Sequence, residues 1–346
     1  MNSTNRQTNK RIGYIDALRG LIMVLVVIGH CALFNLGVNV SNDNNLHFYF
    51  HRFVLPLFFF VSGFLTYKKD FTWSLRNISG LISKKFFPLI IAPLIFFCIY
   101  AFFRDFPFSE FATPMKKGYW FTFALFNCIL LYALLRKMLD VIRIKEGIAL
   151  IILLIIGIPL YISPTIAMTI IGVPANVTYF LSIHMLSYFI FFVFGVFTKK
   201  HFEKVECLLD GSLMTCAIIL FFALAIYVDT DFFKLKKLLL AISGIIIVFG
   251  YFKRNNDYFS GNSKLANVLR LVGQRTLDIY FIHYFFFSYN LPDIIPFFSK
   301  HNLPMIEIAV SLAMTIIVIS ASLLISSILR QSNTLAHYLF GEKKNN

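Results

Sequence analysis

Arg19 and His30 stand eleven positions apart in the stretch Tyr14–His30, which is apolar at every position between them. On a helix that spacing is within about 20° of three full turns, so both side chains share a face, roughly 16 Å apart along the axis. A cation and a titratable imidazole on one face of a membrane-entering helix are costly unless that face looks into protein or water. The spacing predicts a functional cavity lined by this face. Asp16 lies three residues before Arg19 and predicts an intrahelical ion pair that holds the guanidinium.

Two further groups carry reactive side chains. His47 and His51, four apart and followed by Arg52, would share a helix face. That is a spacing metal pairs use, but no acidic residue or cysteine follows at ligand distance, so no metal site is expected. Downstream, Ser62-Gly63 reads as a small pair for close helix packing. The second group is Gly273-Gln-Arg-Thr-Leu-Asp-Ile-Tyr-Phe-Ile-His283, in which Tyr280 and His283 are three apart on one face. Asp278 is expected to pair with Arg275, and His283 to lie at a membrane depth comparable to His30.

The elements that must position these residues are membrane helices. Over 346 residues, 58% are hydrophobic, 42 are Phe, and the mean hydropathy is +0.74, which no soluble domain shows. The expected fold is all-α, a polytopic bundle of about ten transmembrane helices near 15–36, 53–67, 86–103, 119–135, 147–162, 179–198, 208–228, 238–252, 276–291 and 304–329. Residues 1–14 read as a cytoplasmic tail, 15–329 as the transmembrane domain and 330–346 as a second cytoplasmic tail. Arg19 would interrupt a cleaved signal sequence, so the first span is expected to be retained.

The net charge of +15 is spread in small clusters between apolar runs, which excludes a nucleic-acid-binding domain. With the N-terminus inside, 23 of the 32 Lys and Arg fall on the cytoplasmic side and eight outside, Arg19 lying within the first span. That excess predicts two cytoplasmic termini. A cysteine placed beside Lys343 should resist an impermeant external reagent, and its labelling from outside would reverse the topology. The five cysteines form no Cys-x-x-Cys or Cys/His cluster and read as small apolar residues.

Together these residues resemble the acyltransferase-3 superfamily of membrane acyltransferases, and within it the fucose 4-O-acetylase-like branch. Tyr14-Ile-Asp-Ala-Leu-Arg-Gly20 with His30 is similar to the family's arginine, ten residues, histidine pattern. Pro56-Leu-Phe-Phe-Phe-Val-Ser-Gly-Phe64 resembles its second-span segment, and Thr276–His283 its late tyrosine-histidine motif. Two departures stand out. His51 is separated from Pro56 by four residues, where that branch has His-Met-Pro, and Lys84-Lys85 ahead of Pro88 replaces paired arginines.

The resemblance implies transfer of an acyl group, most often acetyl, from cytoplasmic acyl-CoA to a hydroxyl of a cell-surface or lipid-linked glycan in the plasma membrane. Acetyl-CoA would be the donor substrate, with no metal. Arg19, Lys84 and Lys85 would then hold coenzyme A phosphates. His30 would be the general base, with His283 and Tyr280 orienting the acceptor or stabilising the oxyanion. A transporter or flippase of a lipid-linked saccharide would also carry charges inside a helical bundle, but would act without acyl-CoA. A non-catalytic scaffold would tolerate Ala at Arg19 and His30.

Overall fold

The computed structural model describes residues 12–37, 46–170, 172–226, 233–287 and 304–341. Side chains of His47 and His51 lie outside what is described, and so does any role for them. Among the described residues the chain is helical, with no strand. The first half holds α1 (Gly13–His30), α2 (Leu46–Thr66), α3 (Leu75–Phe86), α4 (Ala92–Arg104), α5 (Trp120–Val141), α6 (Glu146–Ile162), α7 (Pro164–Ile170) and α8 (Ala175–Phe180). The second half holds α9 (Phe189–Lys200), α10 (Phe202–Asp210), α11 (Ser212–Ile226), α12 (Phe233–Arg254), α13 (Asn256–Ser260), α14 (Lys264–Gln274) and α15 (Thr276–Ile282). It closes with α16 (Pro304–Leu329) and α17 (Asn333–Phe340).

Among the described residues, six helical stretches are long and apolar enough to cross a membrane: 13–35, 75–104, 120–141, 183–200, 234–254 and 305–329. The pair α10 and α11, bent by 69°, makes a seventh if it is one span. Two expected spans are shorter apolar helices, 52–66 and 146–162. Of the expected span at 276–291, the described part is a seven-residue helix that tightens to a 3₁₀ turn at His283–Phe286. The expected span 86–103 lies within the third stretch, whose helix starts earlier, at Leu75. Its polar first half is hidden from hydropathy, although Ser74 caps it by accepting from the Asn77 N–H.

Glycines set the two tightest helix crossings. A Cβ on Gly20 would lie 1.9 Å from the Leu269 carbonyl, and one on Gly273 1.7 Å from that of Asp16, so α1 and α14 touch backbone to backbone. Gly63 and Gly195 do the same for α2 and α9, against Phe192 O and Phe60 O at 1.9 Å each. In a bilayer, where lipid tails are as apolar as side chains, such close approach supplies the packing that associates helices. Gly63 thus plays the part expected of the Ser62-Gly63 pair. Aromatic side chains fill the interior around these crossings, with Phe60 and Phe64 each packed edge-on to Phe249.

Two π-helical turns interrupt the helices, and both sit beside residues of interest. One follows His30 at once, Cys31–Asn35; the other, Phe87–Ile91, follows Lys84 and Lys85. Pro88 lacks an N–H for the α pattern, which accounts for the second; such turns often mark functional sites. The stretch read as a C-terminal tail is also structured at its start. There α17 buries Ala336, Leu339 and Phe340, and Gly341 ends it at φ 71°.

Candidate active site

A cavity of about 790 Å³ runs through the bundle. Arg19, Lys68, Lys84 and Lys85 stand at one end, and Glu110, Thr113, Lys117 and Gly118 at the other. In the chain the two groups flank α4, Lys84 and Lys85 preceding it and Glu110 following it. Between them the wall is largely apolar, with Met23, Val26, Val61, Leu125 and Ile129. His30 and Tyr280 line it as well. A volume in this range is typical of small-molecule sites.

At the cationic end, Arg19 is half-buried and held from two sides. It donates to Thr276 Oγ1 at 2.6 Å and lies 3.7 Å from Asp16, the ion pair its spacing foretold. Asp16 also accepts from Gln274 Nε2 at 3.3 Å. Residues of the late motif therefore lock the arginine of the early one. Lys68 is a fourth cation that the sequence motifs did not single out.

His30 sits in an aromatic box. Ring centroids of Phe34, Tyr284 and Phe287 lie 5.5, 5.3 and 5.9 Å from its own. His283 is bonded to it, His30 Nδ1 to His283 Nε2 at 3.0 Å. His283 itself is fully buried behind His30 and contributes nothing to the cavity wall. Tyr280 reaches the wall, but its hydroxyl donates to the Gly118 carbonyl at 2.7 Å and accepts from the Phe121 N–H at 3.2 Å. Of the three residues singled out, His30 and Tyr280 line the cavity, His283 lies behind His30, and the Tyr280 hydroxyl is tied to the backbone.

The turn at Lys116–Gly118 shapes the far end. All three residues have positive φ, 46°, 50° and 104°, and a Cβ on Gly118 would fall 2.1 Å from the Tyr284 ring. Left-handed lysines cost of order 1–3 kcal/mol each unless their surroundings enforce them. Here the enforcement is visible. Lys116 is fully buried, donates from Nζ to the carbonyls of Phe111 (2.7 Å) and Tyr179 (2.9 Å), and lies 4.7 Å from the Phe111 ring centroid. Burial pushes its pKa down to about 8. The next residue, Lys117, faces the cavity and pairs with Glu110 at 3.5 Å. Nothing in local sequence signals this turn, because its backbone is dictated by tertiary partners.

Beyond the cavity, Asp278 is buried and anchors the end of α16. Arg330 donates to both its oxygens at 2.8 Å, Ser326 Oγ donates at 2.5 Å, and the expected partner Arg275 is farther, at 3.4 Å. Among the described residues no three His, Cys, Asp or Glu cluster as a metal site.

No curated protein and no solved structure matches this chain. One family does, described as an acyltransferase domain, and the match runs over residues 12–329, from the helix carrying Arg19 and His30 through the last long helix. The chain therefore belongs to the acyltransferase-3 family of membrane acyltransferases.

Proposed function

We propose that the chain is an O-acyltransferase, most directly an O-acetyltransferase, that moves an acyl group from cytoplasmic acyl-CoA to a hydroxyl of a cell-surface or lipid-linked glycan. The observation that carries this reading is the single cavity joining four cations at one end to His30 farther along it. Anionic phosphates fit the cationic end, and a flexible thioester arm fits the apolar wall. Arg19 offers a planar fork for a phosphate, already oriented by Thr276 and Asp16. Lys84, Lys85 and Lys68 add charge without that geometry.

The chemistry then follows from the residues. The acceptor oxygen attacks the thioester carbonyl carbon, and His30 takes the hydroxyl proton as the new C–O bond forms. The C–S bond breaks, and the proton passes from His30 to the departing thiolate. Tyr280, its hydroxyl already bonded to Gly118 and Phe121, shapes the wall around the reacting atoms. Motifs at Tyr14–His30 and Thr276–His283 support the fucose 4-O-acetylase-like branch. We take the chain to have ten spans in the plasma membrane; the 23-to-eight excess of Lys and Arg supports both termini cytoplasmic and an even number of spans, an orientation in which the cationic end would face acyl-CoA.

Arg19→Lys tests the donor half. Losing one charge-assisted bond should weaken binding of a non-hydrolysable acetyl-CoA analogue to the purified protein about tenfold or more. Binding as tight as the parent's would make Arg19 a structural residue held by Asp16 and Thr276. A parent that binds no analogue would favour the transporter reading.

A further inference from the structure

His30 and His283 form a hydrogen-bonded chain whose direction can be read from its far end. His283 Nδ1 is 2.9 Å from the carbonyl oxygen of Ile279, one turn earlier. A carbonyl only accepts, so Nδ1 of His283 carries a proton and, in the neutral ring, Nε2 carries the lone pair. That lone pair faces His30 Nδ1 at 3.0 Å, so His30 Nδ1 is the donor. The two ring planes differ by only 8°, with centroids 5.2 Å apart. This separation is about the bond length plus two ring radii, so the N–H lies along the line of the bond and close to both planes.

We infer that His283 is a positioning residue that fixes His30 in its Nδ1–H tautomer and thereby makes Nε2 the basic nitrogen of the site. The geometry stands by itself; the catalytic consequence rests on the acyl-transfer reading. Without a partner, a histidine in water divides its proton between two nitrogens, and a general base with its lone pair on the wrong one is idle. Full burial of His283 keeps water from competing for the bond, and its own Nδ1–H is committed to Ile279. The aromatic box of Phe34, Tyr284 and Phe287 restrains rotation of the His30 ring.

During transfer, Nε2 of His30 accepts the hydroxyl proton while the O–C bond forms. The resulting imidazolium keeps donating from Nδ1 to His283 Nε2, so no second proton moves. When the C–S bond breaks, Nε2 returns its proton to the thiolate, which leaves as the free thiol. His283 orients and stabilises throughout and touches no substrate atom.

Full-length protein labelled with ¹⁵N-histidine in lipid nanodiscs provides the test, with the His30 signals identified by their absence from His30→Gln. The parent is expected to show His30 protonated at Nδ1, and His283→Leu to shift it toward the Nε2–H form. The same substitution should lower kcat about 10–100-fold, the size of loss seen when metal-bound histidines lose the partner of their second nitrogen, with KM for acetyl-CoA unchanged. His283→Gln, whose side-chain oxygen accepts the Nδ1 proton, should restore most of kcat and the parent tautomer. A parent His30 protonated at Nε2 would overturn the inference, as would a tautomer indifferent to His283→Leu. Loss of kcat in His283→Gln with the tautomer preserved would also overturn it, by making His283 itself reactive. If the parent transfers no acyl group, the acyl-transfer reading fails while the spectra still judge the tautomer.

Discussion

His30→Gln is expected to abolish acyl transfer while leaving the protein in the membrane at normal abundance. Removing a general base typically costs about 10²–10⁴ in rate. Glutamine keeps a hydrogen-bonding group near the position of the ring nitrogen but cannot take up a proton at neutral pH, so bonding without basicity should not suffice. Abundance should hold because His30 is only partly buried, and a polar side chain still faces His283. Transfer from radiolabelled acetyl-CoA in membranes, with the protein quantified in parallel, separates the two effects. An active glutamine variant would move the base to another residue. A variant that vanishes from the membrane would instead mark His30 as a packing residue.

Asp278→Ala is expected to destabilise the fold by about 3–5 kcal/mol, because it strands the Arg330 guanidinium against a buried site. Asp278 is 2% exposed and receives both prongs of Arg330 as well as the Ser326 hydroxyl. The cluster pins the end of α16 to α15, the helix that delivers Tyr280 and His283. Arg330 also lies 4.5 Å from the Phe340 ring centroid, linking α17 to the same point. Removing both charges in Asp278→Ala/Arg330→Met should recover much of the loss, since the one cation left without the carboxylate, Arg275, is the more exposed partner and keeps its access to solvent. Thermal unfolding in detergent would read the cycle. A single variant that melts with the parent would show that the cluster contributes no net stability.

The parts of the site that were legible in the sequence are those set by helix geometry alone. Eleven residues on an α-helix place Arg19 and His30 on one face, and three place Asp16 under Arg19; both hold. What local spacing cannot supply is the meeting of segments more than 250 positions apart. Arg19 with Thr276 and His30 with His283 depend on α1 crossing α14 and α15, a crossing set by Gly20 and Gly273. The motif at 276–283 flagged the residues but not their order around the cavity, so from sequence His283 reads as a group facing the acceptor rather than one bonded behind His30. Hydropathy found the apolar half of the third stretch, 86–103, but not the helical residues 75–85 that lead into it. Arg76, Asn77 and the lysines at 84 and 85 make that first half polar, and Lys84 and Lys85 are where the helix meets the cavity. The Lys116–Gly118 turn and the Arg330–Asp278 bond are tertiary throughout and left no local trace.

The account stands most directly on glycan mass spectrometry of cells carrying the parent chain, His30→Gln, or no copy of the chain. It predicts that surface or lipid-linked glycan from the parent is heavier by one acyl group per modified sugar, and that the variant and the deletion share the unmodified mass. Glycans of equal mass in all three would contradict it.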